Sequence, residues 1–283
     1  MIAATDSDFL QSMAASSQAR NEQAISLLSD TELGARLADA RPVIPLHLSE
    51  QGFDLIAEVK RNSPAEGQLS DSQLDPEAQA GQYAAGGAAA ISVLTEPERF
   101  SGSLEDLTRI ASELGDVPVM RKDFLVSDYQ VREERLAGAS GVLLIAAILD
   151  AQQLAGMLAT ALEMDMFVLL EVFDEADLDK AVPVLEAAGS SQADGGSVRY
   201  LLGVNCRNLR TLEVDFEHFS RLAEQLPQGV PCVAESGLKT TTQARQLVSW
   251  GYSLALAGTT LMKSDDPQQT VRDLLAAGRA QCL

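Results

Sequence analysis

Metal chemistry is hard to build from this chain, because it holds two histidines, His47 and His218, far apart in sequence and without metal-ligand spacing. Cysteine is nearly as scarce. Cys206, Cys232 and Cys282 are an odd number, widely separated, with no C-x-x-C, which speaks against a disulfide framework or zinc site and fits a reduced, cytoplasmic setting. No apolar run approaches the roughly 20 residues of a membrane-spanning helix. The start, MIAATDSDFLQSMAASSQAR, lacks the basic stretch and apolar core of a signal peptide. Positive charge is also short, with 21 Lys and Arg against 41 Asp and Glu and a net charge of -20. Such a chain repels nucleic acid phosphates and anionic membranes, so neither is an expected partner. A small anionic substrate remains open wherever the few cations converge. What the chain does have is 283 residues, 46% of them hydrophobic, enough for two ordinary domains or one α/β barrel of about 250 residues.

Apolar runs recur at residues 55–60, 90–94, 118–121, 141–146, 166–171, 200–205, 230–235 and 253–257. Their spacing accommodates one strand, one helix and two loops, which predicts alternating β and α elements. Helix patterns lie between them. In SLEDLTRIASELG, Ser103 is a candidate N-cap and Gly115 a stop, with Leu104, Leu107, Ile110 and Leu114 at helical spacing. DYQVREERLAGA, DAQQLAGMLATALEM, DEADLDKAVPVLEAAG and TTTQARQLVSWGY have the same character. Near-continuous apolar strands belong to a sheet buried on both faces, so the expected fold is α/β, a closed (β/α)8 TIM barrel. An open doubly wound sheet is the alternative, but its glycine-rich loop after the first strand is absent. Residues 1–54 read as an N-terminal helical extension that covers the top or plugs the bottom of the barrel, and residues 55–283 as the barrel, all one domain. GSSQADGGS, at 189–197, reads as a flexible small-residue loop. The oligomeric state is open, a monomer included.

The run LIAEVKRNSP poses the functional question. Leu55, Ile56, Ala57 and Val59 suit a buried strand, yet Glu58 and Lys60, two apart, share one of its faces. Charges are tolerated at a strand end, where an ion pair is the plain explanation. In parallel barrels, however, the active site lies at the C-terminal strand ends, and these carry Glu58, Lys60 and Arg61, then Thr95 and Glu96, Lys122 and Asp123, Glu171, Asn205 and Arg207, and Glu235 and Ser236. Six of eight ends with ionisable or amide groups predict a catalytic pocket, with Pro64 turning the chain away from the first. Its cations would attract a polyanion, and burial among them is expected to lower a lysine pKa toward acid–base use. Glycines in ESG and AGT leave backbone N–H groups for phosphate. Neither an Asp/His metal cluster nor a Ser-His-Asp or Cys-His order is present, and Cys206 reads as packing.

IAEVKRNSP, AISVLTEPERFSGSLEDL, PVMRKDFLVSDYQVREERLAGASGVLLIAAIL, LLEVFDEADL, LLGVNCRNLRTLEVDF, VAESGLKT and LAGTTLMKSDDP together resemble the indole-3-glycerol phosphate synthases of tryptophan biosynthesis, from about residue 55 to 267. The resemblance implies a carboxy-lyase without cofactor or metal that closes, decarboxylates and dehydrates 1-(2-carboxyphenylamino)-1-deoxyribulose 5-phosphate. It implies Lys122 as the general acid at the ribulose carbonyl, Glu171 in proton transfer during dehydration, and Lys60 on the substrate carboxylate with a possible share of the acid role. Glu58, Asn205 and Glu235 would position hydroxyls and lysines, and Arg207 would add positive charge. Ser63 would lie near the carboxylate and Ser236 in the pocket wall. Gly237, Gly258 and Thr259, helped by Arg61, would hold the phosphate, and Phe100 and Phe124 would flank the anthranilate ring. The N-terminal segment departs from the family pattern, Phe173 stands where a histidine is more frequent, and residues 184–198 look extended. A diverged paralogue, another phosphate-binding barrel enzyme and a noncatalytic anion-binding barrel are the competing readings.

Overall fold

Eight parallel strands close into a barrel in the computed structural model, which describes residues 6–63, 67–68, 75–207 and 213–282. They are β1 (Asp54–Val59), β2 (Ala90–Leu94), β3 (Val119–Lys122), β4 (Gly141–Ile145), β5 (Phe167–Val172), β6 (Tyr200–Asn205), β7 (Cys232–Glu235) and β8 (Leu254–Ala257). Chain order is barrel order, and β1 meets β8 through Asp54–Ala57 opposite Leu254–Ala257. The apolar runs had placed all eight, and closure excludes the open sheet. Pro64 lies outside the described residues.

Strand alternation divides the core in two. Leu55, Ala57 and Val59 of β1 join the layer between strands and helices, whereas Ile56 joins the barrel interior with Met120, Leu143, Phe167, Leu169 and Leu201. Burying each such side chain contributes about 1.5–3 kcal/mol, so a one-residue slip of any strand would forfeit several of these terms at once. Register is thereby fixed, and with it the direction of every residue at a strand end.

The helices that cover the barrel are α3 (Pro76–Gly86), the short α4 (Pro97–Phe100), α5 (Leu104–Glu113), α6 (Asp128–Leu136), α7 (Ala151–Glu163), α8 (Glu175–Ala187), α9 (His218–Leu222), α10 (Thr241–Ser249), α11 (Thr259–Met262) and α12 (Pro267–Arg279). Ser103 caps α5 by accepting from the Asp106 N–H, as its position before an amphipathic run predicts, and Ser127, Asp150, Asp174 and Thr240 cap later helices in the same way. Ahead of the barrel stand α1 (Asp6–Leu27) and α2 (Asp30–Leu37). The chain from 6–54 meets both ends of the barrel. Leu46 pairs with Val198 just before β6 and enters the interior from the N-terminal side, while α1 reaches the opposite, C-terminal rim.

The stretch 189–197 differs from the flexible loop expected. Ala193 N–H donates to Ser197 O and Arg199 N–H to Ser191 O, and Gln192 bridges Val198. Backbone pairing, which small residues accommodate without side-chain conflict, closes it into a turn. No helix among the described residues is long and apolar enough to cross a membrane.

Candidate active site

Along the inner face the strands run apolar until their last inward position, and there the chemistry changes. Met120 is followed two residues on by Lys122, Leu169 by Glu171, Val233 by Glu235 and Ile56 by Glu58. The pleat therefore delivers these groups to one cavity of about 430 Å³ at the C-terminal end of the barrel. Lys122 Nζ lies 2.9 Å from Glu171 Oε2 and 2.9 Å from Glu235 Oε2, and Lys60 Nζ 2.6 Å from Glu58 Oε2. Burial opposes the Lys122 ammonium, but Glu171, Glu235 and Glu58 outweigh it and raise its pKa above the ordinary lysine value. The lowering expected from neighbouring cations does not occur, because its neighbours are carboxylates. Lys122 is held protonated, the state a general acid needs. Glu235 is raised too, by a different cause: burial drives its carboxyl well above the usual range, with Lys122 resisting and Glu171 reinforcing the shift.

Two glycines make room for these pairs. A Cβ at Gly203 would stand 2.0 Å from Glu235 Oε1, and one at Gly258 would stand 2.2 Å from Glu58 Oε2 and 2.9 Å from Lys60 Nζ. Gly258, expected only at the phosphate, thus also accommodates the Glu58–Lys60 pair. Across the cavity Ser236 Oγ donates to Asn205 Oδ1 at 3.0 Å, and the same oxygen accepts the Arg207 N–H at 3.1 Å. Ser236 and Gly237 both take left-handed backbone angles, φ 72° and 77°, a turn that costs Ser236 strain and is of the kind found at functional sites.

Phe100 and Phe124 face the cavity with ring centroids 6.2 Å apart, and Phe9 of α1 meets Phe124 edge-on at 6.2 Å. Ser63 also lines this space, as do Arg207, Gly237 and Thr259. Near Gly237, Gly258 and Thr259 in sequence, Lys239 and Lys263 bring two further cations to the wall. Their omission from the expected set had a remedy in the composition: the lysines are Lys60, Lys122, Lys180, Lys239 and Lys263, and all but Lys180 line the cavity. Phe9 gave no such signal, since nothing local ties an N-terminal helix to a strand end more than 100 residues away.

Three expected residues go elsewhere. Arg61 does not line the cavity; its guanidinium pairs with Asp106 of α5, with Nη2 3.2 Å from Oδ1. Thr95 donates to Asp123 Oδ2 at 2.8 Å, and Glu96 accepts the N–H groups of Glu98, Arg99 and Phe100 as the cap of α4. Asp123 itself is gripped by Arg121 and, from α1, by both Nη atoms of Arg20 at 2.8 and 2.9 Å. Burial works against its carboxylate, but Arg121 and Arg20 hold it well below the usual range. Cys206 and Cys232 are buried thiols pushed up to about 12 by that burial, which makes them packing groups.

A closed parallel barrel with an acid–base cluster at its strand ends, an aromatic wall and lysines beside glycine turns defines the class, a barrel enzyme. The chain belongs to the indole-3-glycerol phosphate synthase family, whose model matches residues 10–274. It is 43% identical over 257 residues to the indole-3-glycerol phosphate synthase of Parafrankia sp., covering 91% of this chain and 90% of that protein. To the enzyme of that name from Nocardioides sp. it is 44% identical, covering 90% and 92%. Among solved structures, 3-hexulose-6-phosphate synthase from Salmonella typhimurium superposes with a TM-score of 0.61 at 12% identity, covering 81% of this chain and 100% of that one, a likeness of fold alone.

Proposed function

We propose that this protein is an indole-3-glycerol phosphate synthase, a carboxy-lyase that converts 1-(2-carboxyphenylamino)-1-deoxyribulose 5-phosphate to indole-3-glycerol phosphate, CO2 and water in the cytoplasm. The observation that carries the reading is Lys122 held between Glu171 and Glu235 at 2.9 Å each, beside the Lys60–Glu58 pair, in one cavity.

The aromatic carbon that bears the carboxylate attacks the ribulose carbonyl carbon, and Lys122 protonates the carbonyl oxygen as the bond forms. Lys60 attracts the carboxylate, with Ser63 nearby, and holds it until CO2 leaves and its bonding electrons return to the ring. Glu171 then takes the proton released as the hydroxyl departs as water. Glu58 holds Lys60 and Glu235 holds Lys122, each fixing the lysine's donor geometry before substrate arrives. Asn205, oriented by Ser236, faces the sugar hydroxyls, and Arg207 adds charge. Phe100, Phe124 and Phe9 enclose the anthranilate ring. Gly237, Gly258 and Thr259 take the phosphate, and Lys239 and Lys263 assume the cationic part first assigned to Arg61.

Fluorescence-monitored turnover tests the reading. Wild type forms the indole product, Lys122→Ala loses it, and Glu171→Ala is severely reduced, each by the roughly 10²–10⁴ a general acid or base supplies. A folded wild type that forms no indole product from this substrate at any salt concentration would contradict it.

A further inference from the structure

The reaction assigned above, on which this inference rests, has an unbalanced proton account. The substrate carboxylate leaves as neutral CO2, and the carbonyl oxygen leaves as water after taking two protons. One proton comes back from the carbon beside the ring nitrogen. Each turnover therefore consumes one proton beyond the one recycled, inside a cavity that must exclude water to keep its electrostatics strong. Lys122 can give one proton to the carbonyl oxygen and is then a neutral amine.

The geometry points to where the second proton is kept. Glu171 and Glu235 both accept from the one ammonium of Lys122, both are almost fully buried, and the nearby cation Lys60 is taken up by Glu58 at 2.6 Å. Two carboxylates that share one ammonium leave an uncompensated negative charge in a low-dielectric site, and like charges so close do not both ionise. Glu235 Oε1 is the atom that reveals it. Although buried, it has no hydrogen-bond partner among the described residues, and it lies against the bare backbone of Gly203 and near Leu169. A carboxylate oxygen there is very costly, and the neutral oxygen of a carboxyl group costs far less. The groups around it are Lys122 on β3, Glu171 on β5, Gly203 and Asn205 on β6 and Leu256 on β8. Burial and Glu171 both raise the Glu235 pKa.

We propose that Glu235 and Glu171 share one stored proton, and that Glu235 passes it to Lys122 within each turnover. Lys122 gives its proton to the carbonyl oxygen and becomes an amine. Glu235 protonates that amine across the 2.9 Å contact and becomes a carboxylate. Lys122 then protonates the departing hydroxyl, and Glu171 receives the proton from the carbon beside nitrogen. The resting cluster held two protons and the final one holds one, so a single proton enters from solvent with product release. That equals the net uptake of the reaction.

Glu235→Gln tests this, because glutamine keeps the shape and neutrality of the carboxyl but yields no proton. A residue that only positions Lys122 through a neutral hydrogen-bonding group would tolerate the change. The proposal expects kcat to fall at least about tenfold with KM nearly unchanged, and kcat partly restored in Glu235→Asp. It also expects the infrared C=O band of a neutral carboxyl at neutral pH to weaken in Glu235→Gln. Glu134→Gln combined with Asp177→Asn is the spectroscopic control, since among the described residues these are the other buried carboxyls raised above their ordinary values. Wild-type kcat in Glu235→Gln, or an unchanged band, overturns the proposal. If Glu235→Gln does not fold, the spectrum of the Glu134→Gln, Asp177→Asn double variant decides: a remaining neutral carboxyl band supports the store, and its absence overturns it. A wild type without turnover would refute the assigned reaction instead, and the infrared band would still report on the stored proton.

Discussion

Each residue at the centre of the cavity is constrained by a neighbour that makes space or charge for it. Gly203 and Gly258 show this through what they lack, since a Cβ at either would enter the space of a Glu235 or Glu58 oxygen at 2.0 or 2.2 Å. Gly203→Ala is therefore expected to displace Glu235 and lower kcat by about tenfold or more, with a native circular dichroism spectrum; a fully active variant would show that the pair does not depend on that space. Glu134 makes a different point, away from the chemistry. It is fully buried, neither carboxyl oxygen has a hydrogen-bond partner among the described residues, and burial raises its pKa, with Arg121 opposing and Asp123 and Glu133 adding to the shift. In the unfolded chain it ionises near the ordinary value of about 4.3. The folded state thus holds more protons above that pH, and stability falls as pH rises from there through the folded pKa. Glu134→Gln removes this slope. Its stabilisation of the fold should be negligible below about pH 4 and grow toward neutral pH, as thermal melts across pH would show; equal melting shifts at all pH values would contradict the assignment. These dependences were not legible in sequence, where Glu133 and Glu134 look like any helical charge pair.

At the scale of elements, barrel strands and capped helices could be read almost directly, because each rests on local pattern: an apolar run for β1, Ser103 before an amphipathic turn for α5. The direction of Glu58 and Lys60 was legible for the same reason, since pleat alternation needs no tertiary information. What pattern could not reveal were contacts made across the chain. Arg61 stands beside Lys60 in sequence yet pairs with Asp106 of α5, and α1 joins the site through Phe9 and Arg20 from the far end of the sequence. Ser17 and Asn21 of α1 also meet Gln130 and Ser127 at the start of α6. Among its described side chains this helix supplies a wall to the cavity and no acid or base. Phe9→Ala is accordingly expected to raise KM severalfold while leaving kcat within about twofold; a change confined to kcat would show that α1 acts on the chemistry. Arg20→Met removes two charge-assisted hydrogen bonds from a carboxylate that keeps Arg121 and Thr95. A loss of about 1–3 kcal/mol in denaturant melts is the expected cost.

For the molecule as a whole, charge is distributed unequally between surface and site. The chain carries a net charge of -20, yet Lys60, Lys122, Lys239 and Lys263 gather at one cavity. The surface repels itself, and under the proposed reaction the cavity attracts the substrate's phosphate and carboxylate. Moderate salt screens both effects over roughly 8–10 Å. Melting temperature should therefore rise with sodium chloride while KM also rises, a combination that a neutral site on an acidic surface would not give. The central claim is that this cavity closes and decarboxylates its substrate by a proton from Lys122 and completes dehydration with Glu171. The most direct measurement follows release of labelled CO2 from carboxyl-labelled substrate alongside indole fluorescence. Wild type should release CO2 and indole product in equal amounts, Lys122→Ala neither, and Glu171→Ala CO2 in excess of indole product. Undiminished CO2 release by folded Lys122→Ala would contradict the account.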